Sequence, residues 1–179
     1  DSEIHDTLYG TIGELYLKEM DIREGSSSTL AAGSLEMVNS TIVDGSSGSY
    51  TIRVTSSDDI LLTNSTIDLE CGSNCGSTFT IDWSTTGDII LIDSKIEVTQ
   101  YRTAKMEFEA SNISLINSTL HAGTKYTSHS STTVDSDIIF KADSLSLDNS
   151  TVTTQSEQTN NNHQYNYNRK AYSDLTVEV

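Results

Sequence analysis

One eight-residue phrase returns along this chain, and no other feature constrains its folding so tightly. It reads apolar–x–Leu/Met–x–Asn/Asp–Ser–x–apolar. Clear copies run from Leu35 to Ile42, Ile60 to Ile67, Ile89 to Ile96, Ile113 to Leu120 and Leu145 to Val152. Their polar centres are Asn39, Asn64, Asp93, Asn117 and Asn149, and a weaker copy (Leu15, Leu17, Glu19, Ile22) precedes them. The centres recur every 20 to 32 residues or so (about one supersecondary unit each), the signature of a solenoid. A unit that small cannot bury its own apolar face, so the copies must stack to share one core.

Alternation within each copy sets the local geometry. Ile60 and Leu62 lie two apart and share one face of a strand, and Ile67 and Leu69 begin another. A third alternating stretch precedes each copy: Ile52 and Val54; Phe79, Ile81 and Trp83; Met106, Phe108 and Ala110; Ile138, Phe140 and Ala142. The period of two, the β-branched residues and the frequent turn residues favour strand over helix. Three short strands joined by bends predict an all-β chain, a β-solenoid of about six rungs with at least about 24 residues each, in parallel register. Parity places the central Asn inward at a bend. Ile4, Leu8 and Ile12 have the spacing of a short helical cap, against which Gly10 and Gly13 count. Residues 1–14 are therefore read as an N-terminal cap, and 15–179 as solenoid left open at its C-terminal end.

Composition agrees. Of 179 residues only 35% are hydrophobic and 20% charged, and proline is absent. A narrow core column with many Ser, Thr, Asn and Gly turns tolerates so few apolar residues better than a globular α/β fold does. Disorder is the alternative for a polar acidic chain, and the regular alternation argues against it. A net charge of −16 repels nucleic acid, whose binding needs clustered Lys and Arg. No apolar run reaches membrane-spanning length. No leader is visible at Asp1, so an export signal is expected to have been removed or to lie upstream.

The phrase with a polar residue turned into a bend resembles the asparagine-ladder turn of right-handed parallel β-helices. The stretch Ala142 to Val152, and the later Asp174 to Val179, resemble repeats of filamentous-haemagglutinin-like surface exoproteins. The resemblance spans the chain from about Leu15 onward. It implies a right-handed β-helix at the cell surface, a shaft, filament or adhesin segment. The proline-containing motif of the secretion domain in those exoproteins is missing, which implies a passenger segment.

Candidate sites follow from the same layout. Asn39, Asn64, Asn117 and Asn149 open formal glycosylation sequons, but a ladder satisfying buried bend groups accounts for them, with Asp93 in the series. Asn112, outward in Asn112-Ile113-Ser114, is the better glycan acceptor. Cys71 and Cys75 flank a glycine-containing turn. They lack the further ligands of a zinc site, so a small disulfide loop and an oxidising, extracellular location are expected.

On the first strand of each rung Arg53, Asp82, Glu107 and Ile139 should form an outward column, with Glu109 beside Lys141. Asp82 and Glu107 are the candidate Ca²⁺ ligands, the one cofactor considered. They are also the residues on which a polysaccharide-degrading enzyme of pectin-lyase type would rest. Charge pairing, Arg53 with Asp82 and Lys141 with Glu109, is the plainer account. His5, His121, His129 and His163 are scattered without metal-ligand spacing. The segments after the third strand vary in length and are longest at 155–172, where Tyr165, Tyr167, Arg169 and Tyr172 are suited to contact. The expected function is a non-enzymatic extracellular structural or adhesive element. Its expected partners are neighbouring copies, packed end to end or laterally, or a cell-surface protein or glycan.

Overall fold

The computed structural model describes residues 2–4, 10–24, 28–44, 49–70, 78–100, 102–126, 133–158 and 170–179. Strands β1 (Ser2–Ile4), β2 (Gly10–Ile12), β3 (Leu15–Lys18) and β4 (Met20–Glu24) open the chain. Next come β5 (Ser28–Ala32), β6 (Leu35–Val38) and β7 (Thr41–Asp44), then β8 (Tyr50–Ser56), β9 (Ile60–Thr63) and β10 (Thr66–Glu70). They are followed by β11 (Thr78–Thr85), β12 (Asp88–Ile92) and β13 (Lys95–Gln100), β14 (Thr103–Ile116) and β15 (Thr119–Tyr126). The last are β16 (Thr133–Asp148), β17 (Thr151–Gln158) and β18 (Lys170–Glu178). Among the described residues there is no helix, and residues 2–4 and 10–12 of the segment read as a cap are strands.

Every described strand pair is parallel, and strands pair with those about three places away in sequence. One sheet has seven strands in the order β1-β4-β7-β10-β13-β15-β17. The other has eleven: nine run β2-β5-β8-β11-β14 and back through β12-β9-β6-β3, and β16 and then β18 continue from β14. The long β14 joins its two halves: residues 103–109 pair with β11 and 112–116 with β12. β16 follows β14 along both halves, and β18 pairs with its first part only.

Along β3, β6 and β8 to β13 buried and more exposed residues alternate, so one face of each feeds a single apolar cluster, whereas residues 173–178 of β18 are all exposed. Tyr50, Phe79, Trp83, Phe108 and Phe140 are its largest members and are essentially inaccessible. Trp83, Phe108 and Phe140 occupy one register column. Trp83 meets Phe108 edge-on at 5.4 Å between centroids, and Phe108 stacks on Phe140 at 5.6 Å. Both arrangements suit the aromatic quadrupole.

The bend after each second strand turns on one left-handed residue. Glu19, Asn39, Asn64, Asp93, Asn117 and Asn149 have φ between 46° and 54°. Asn and Asp enter this region more readily than other residues with a side chain, which explains the choice at five of the six. The inward orientation expected for the Asn series is not what the structure shows. Asn39, Asn64, Asp93, Asn117 and Asn149 are exposed, and the following serines turn inward. Alternation counts correctly only along extended backbone. The left-handed residue rotates the chain and shifts the parity by one.

Glu19 carries the backbone strain of this bend without the short polar side chain that eases it. Glu19→Asn is expected to stabilise the chain by about 1 kcal/mol. Urea midpoints measure the change, and a midpoint unmoved or lowered would show that the conformation is not strained.

Candidate functional site

Three features of the folded chain bear on function: the serine series inside the bend, the charged outward column, and the edge left by β16, β17 and β18. The serine series is the most regular. The hydroxyls of Ser40, Ser65, Ser94, Ser118 and Ser150 donate to the carbonyls of Val38, Thr63, Ile92, Ile116 and Asp148, each two residues back, at 2.7–2.9 Å. Each also accepts a backbone N–H from the preceding copy. The donors are Met20, Ser40, Ser65, Ser94 and Ser118, at 3.0–3.2 Å. The corner thus satisfies backbone groups that the strands cannot reach.

On the outside, Asn64 Nδ2 donates to Asn39 Oδ1 at 2.9 Å, Asn117 Nδ2 to Asp93 Oδ1 at 3.1 Å and Asn149 Nδ2 to Asn117 Oδ1 at 2.9 Å. The Asn/Asp side chains therefore do form cross-strand links, but on the solvent side, where such bonds contribute less than buried ones. Sequence reasoning noticed the recurring Ser and assigned its role to the Asn. The signal was present: Ser is kept even where Asp93 replaces Asn.

Asn112 is outward and exposed, as expected of a glycan acceptor. Its amide is engaged at both ends, Nδ2 donating to Asp88 Oδ1 at 2.8 Å and Oδ1 accepting from Ser144 Oγ at 2.7 Å. This makes a second outward chain, across the bend between first and second strands. At that bend Gly87 leaves no room for a side chain, since a Cβ there would lie 2.6 Å from Asp59 Oδ1 and 3.0 Å from Asp58 backbone.

The outward column stands in the expected register: Arg53, Asp82, Glu107 and Ile139 are successive partners, and Glu109 faces Lys141. Arg53 Nε donates to Asp82 Oδ2 at 2.8 Å. Lys141 differs from expectation. Its Nζ donates to Glu107 Oε1 at 2.6 Å, while Lys105 Nζ reaches Glu107 Oε2 at 2.7 Å. Lys141 thus reaches to Glu107, two residues before its register partner Glu109. Hydrogen bonds from Lys105 and then Lys141 hold the Glu107 carboxyl below its ordinary range. Both Glu107 oxygens and one of Asp82 are therefore taken up by cations. Among the described residues no group of three or more His, Cys, Asp or Glu is placed to hold a metal.

Farther along the same face the charge balance reverses. Asp137 lies between register partners Lys105 and Asp174, with Asp135 beside it. Burial, then the charge and hydrogen bonding of Asp135, then Asp174, raise its carboxyl from 3.8 to about 6. Between those pH values the folded chain holds a proton that the unfolded chain has released, so stability falls as pH rises from 3.8 towards 6. Asp137→Asn is expected to raise the thermal midpoint at pH 7 and to leave it unchanged below pH 3.8. Midpoints measured from pH 3 to 8 test this; equal shifts at both ends would assign the effect to something other than ionisation.

The third feature is an edge. β18 covers β16 only over Thr133–Lys141, so 142–148 and β17 have no further strand beside them among the described residues. Leu147 is 49% exposed, although Leu62, Leu91 and Leu115 in the same column are buried. Leu175, Val177 and Val179 are exposed as well. A cleft of about 430 Å³ lies at the step where β18 ends, lined by Glu109, Lys141, Ala142, Asp143, Glu178 and Val179 among others.

Cys71 and Cys75, and Tyr165, Tyr167 and Arg169, lie outside the described residues. Tyr172 is in β18, opposite Asp135. Compared with protein-family models, curated proteins and solved structures, the chain matches none. No helix among the described residues is long and apolar enough to cross a membrane.

Proposed function

We propose that this chain is a segment of an extracellular right-handed β-solenoid that serves a structural or adhesive role. The parallel strands are then the faces of one coil with three strands per turn, and the length-variable segments between third and first strands are its contact surface. The observation that carries this reading is the unbroken parallel register, in which core, serine and asparagine columns all repeat in step. Such an arrangement invests the sequence in a stiff scaffold. The outward carboxylates Asp82 and Glu107 are neutralised by Arg53, Lys105 and Lys141, which suits a stable surface more than acid–base turnover.

The chain incubated with uronate polymers, with and without Ca²⁺, is expected to release no unsaturated or reducing ends. Turnover abolished by Asp82→Asn would replace this reading with the pectin-lyase-type enzyme. Binding to immobilised cell-surface proteins and glycans tests the adhesive role. It should fall when residues 160–169 are replaced by a Gly/Ser segment, with the thermal midpoint retained.

A further inference from the structure

We propose that the outward face of β3, β6, β9, β12 and the second halves of β14 and β16 is a lateral docking surface for a second copy of this chain, lying antiparallel to the first. The proposal needs only this parallel sheet and stands apart from the adhesive role above. Two outward columns make the face. One runs Tyr16, Glu36, Leu61, Ile90, Ser114 and Ser146, the other Lys18, Val38, Thr63, Ile92, Ile116 and Asp148. Leu17, Met37, Leu62, Leu91 and Leu115, which alternate with them, are buried.

The middle of this face differs from the other outward columns. Leu61, Thr63, Ile90, Ile92, Ser114 and Ile116 are all partly exposed, and none is charged. Val38 extends the aliphatic patch onto β6. Outward positions on the first strands instead carry Arg53, Asp82 and Glu107, and those on the seven-stranded sheet carry Asp68, Lys95 and Glu97. In a chain of net charge −16, a contiguous aliphatic patch on adjacent strands marks a contact surface. Two like-charged chains also meet with least repulsion where acids are fewest.

Charge identifies the occupant and its direction. A two-fold axis along the strands, between β9 and β12, sets Leu61 against Ile90 of the second copy, Thr63 against Ile92 and Val38 against Ile116. Each contact is made twice, as in any isologous pair. The same operation brings Lys18, the one cation of the two columns, against Asp148 at both ends, and Glu36 against Ser114. A two-fold axis along the stack would lay Glu36 on Val38 and offer Asp148 only Ser146. A carboxylate pressed unpaired on aliphatic surface is costly, which selects the antiparallel pair. Tyr16, 57% exposed, then covers Ser146 at the rim. Asp59 opposes the second copy's Asp88 at the bend beside the face. One oxygen of each already accepts a hydrogen bond within the chain, from Asp88 N–H and Asn112 Nδ2, and both carboxylates stay in a solvated rim. Strands about 4.8 Å apart give a contact on the order of 300 Å² per copy. That is below the roughly 800 Å² per partner of a standard interface, so the pair is weak and concentration-dependent.

Sedimentation equilibrium of the intact chain, over roughly 10 μM to 1 mM, tests this. A monomer–dimer equilibrium is expected. Thr63→Lys and, separately, Ile90→Lys place an unpaired charge at the centre of the contact, and each should weaken pairing at least about tenfold. Thermal midpoints check that both variants fold, and Thr63→Lys removes no aliphatic side chain. Lys18→Glu should weaken pairing as well, and adding Asp148→Lys to it should restore pairing to within about twofold of the original. That rescue requires the two ends of the face to meet. A chain monomeric throughout, or a dimer unmoved by Thr63→Lys, would overturn the proposal. So would a double variant that pairs no more tightly than Lys18→Glu alone.

Discussion

Phe108→Ala is expected to destabilise the chain by about 3–5 kcal/mol, the range for removing a large buried aromatic side chain. Phe108 is 1% exposed and lies mid-column between Trp83 and Phe140. Its ring is held edge-on by one and stacked by the other. The cavity cannot close easily. Strands β11 and β16 are fixed by parallel hydrogen bonding on either side of β14, so neither neighbour can collapse into the space without breaking register. Urea unfolding followed by tryptophan fluorescence reads both stability and the environment of Trp83. A loss under about 1.5 kcal/mol would mean that the aromatic column is loosely packed. Val177→Ala, at an exposed position of β18, should change stability by no more than about 0.5 kcal/mol.

Ser94→Ala is the second large effect, expected at about 1–3 kcal/mol. The lost hydroxyl accepts the Ser65 N–H at 3.1 Å and donates to Ile92 O at 2.7 Å, in a corner sealed from water. Alanine leaves a buried donor with nothing to bond. The adjacent outward position should behave differently. Asn64→Ala removes an exposed amide bond and places alanine in a left-handed conformation, for about 1 kcal/mol. Asn64→Gly should recover most of that, because glycine adopts the conformation freely. Differential scanning calorimetry on the three variants decides the matter. If Asn64→Ala costs more than Ser94→Ala, the asparagines and not the serines hold the corner.

Strand positions, their alternation and their cross-strand register were legible in the sequence because extended backbone has a fixed period of two. From that alone Arg53, Asp82, Glu107 and Ile139 fall into one column, and Glu109 falls opposite Lys141. The corner was misread because one left-handed residue breaks the period: Asn64 and Ser65 exchange faces. Side-chain partners were legible only where a single choice existed. Arg53 has Asp82 beside it, whereas Lys141 had two carboxylates within reach. It bonds to Glu107, which also accepts from Lys105, and register alone does not decide between the two. The exposure of Leu147 is invisible to any pattern, since its phrase is indistinguishable from the buried copies. Only the position of β18 along β16 reveals it.

Register in this stack is insensitive to how much chain lies between a third strand and the next first strand. Ile42 and Ile52, Ile67 and Ile81, and Leu120 and Ile138 are separated by unequal stretches, yet the strands on both sides keep their columns. From the left-handed residue to the third strand the interval never changes: Asn39 to Ile42, Asn64 to Ile67, Asp93 to Ile96, Asn117 to Leu120. One corner is thus a ruler and another a free margin. Insertions, deletions and foreign epitopes can accumulate in the margin without disturbing the ruler, so such a chain can change what it displays far faster than it changes its fold.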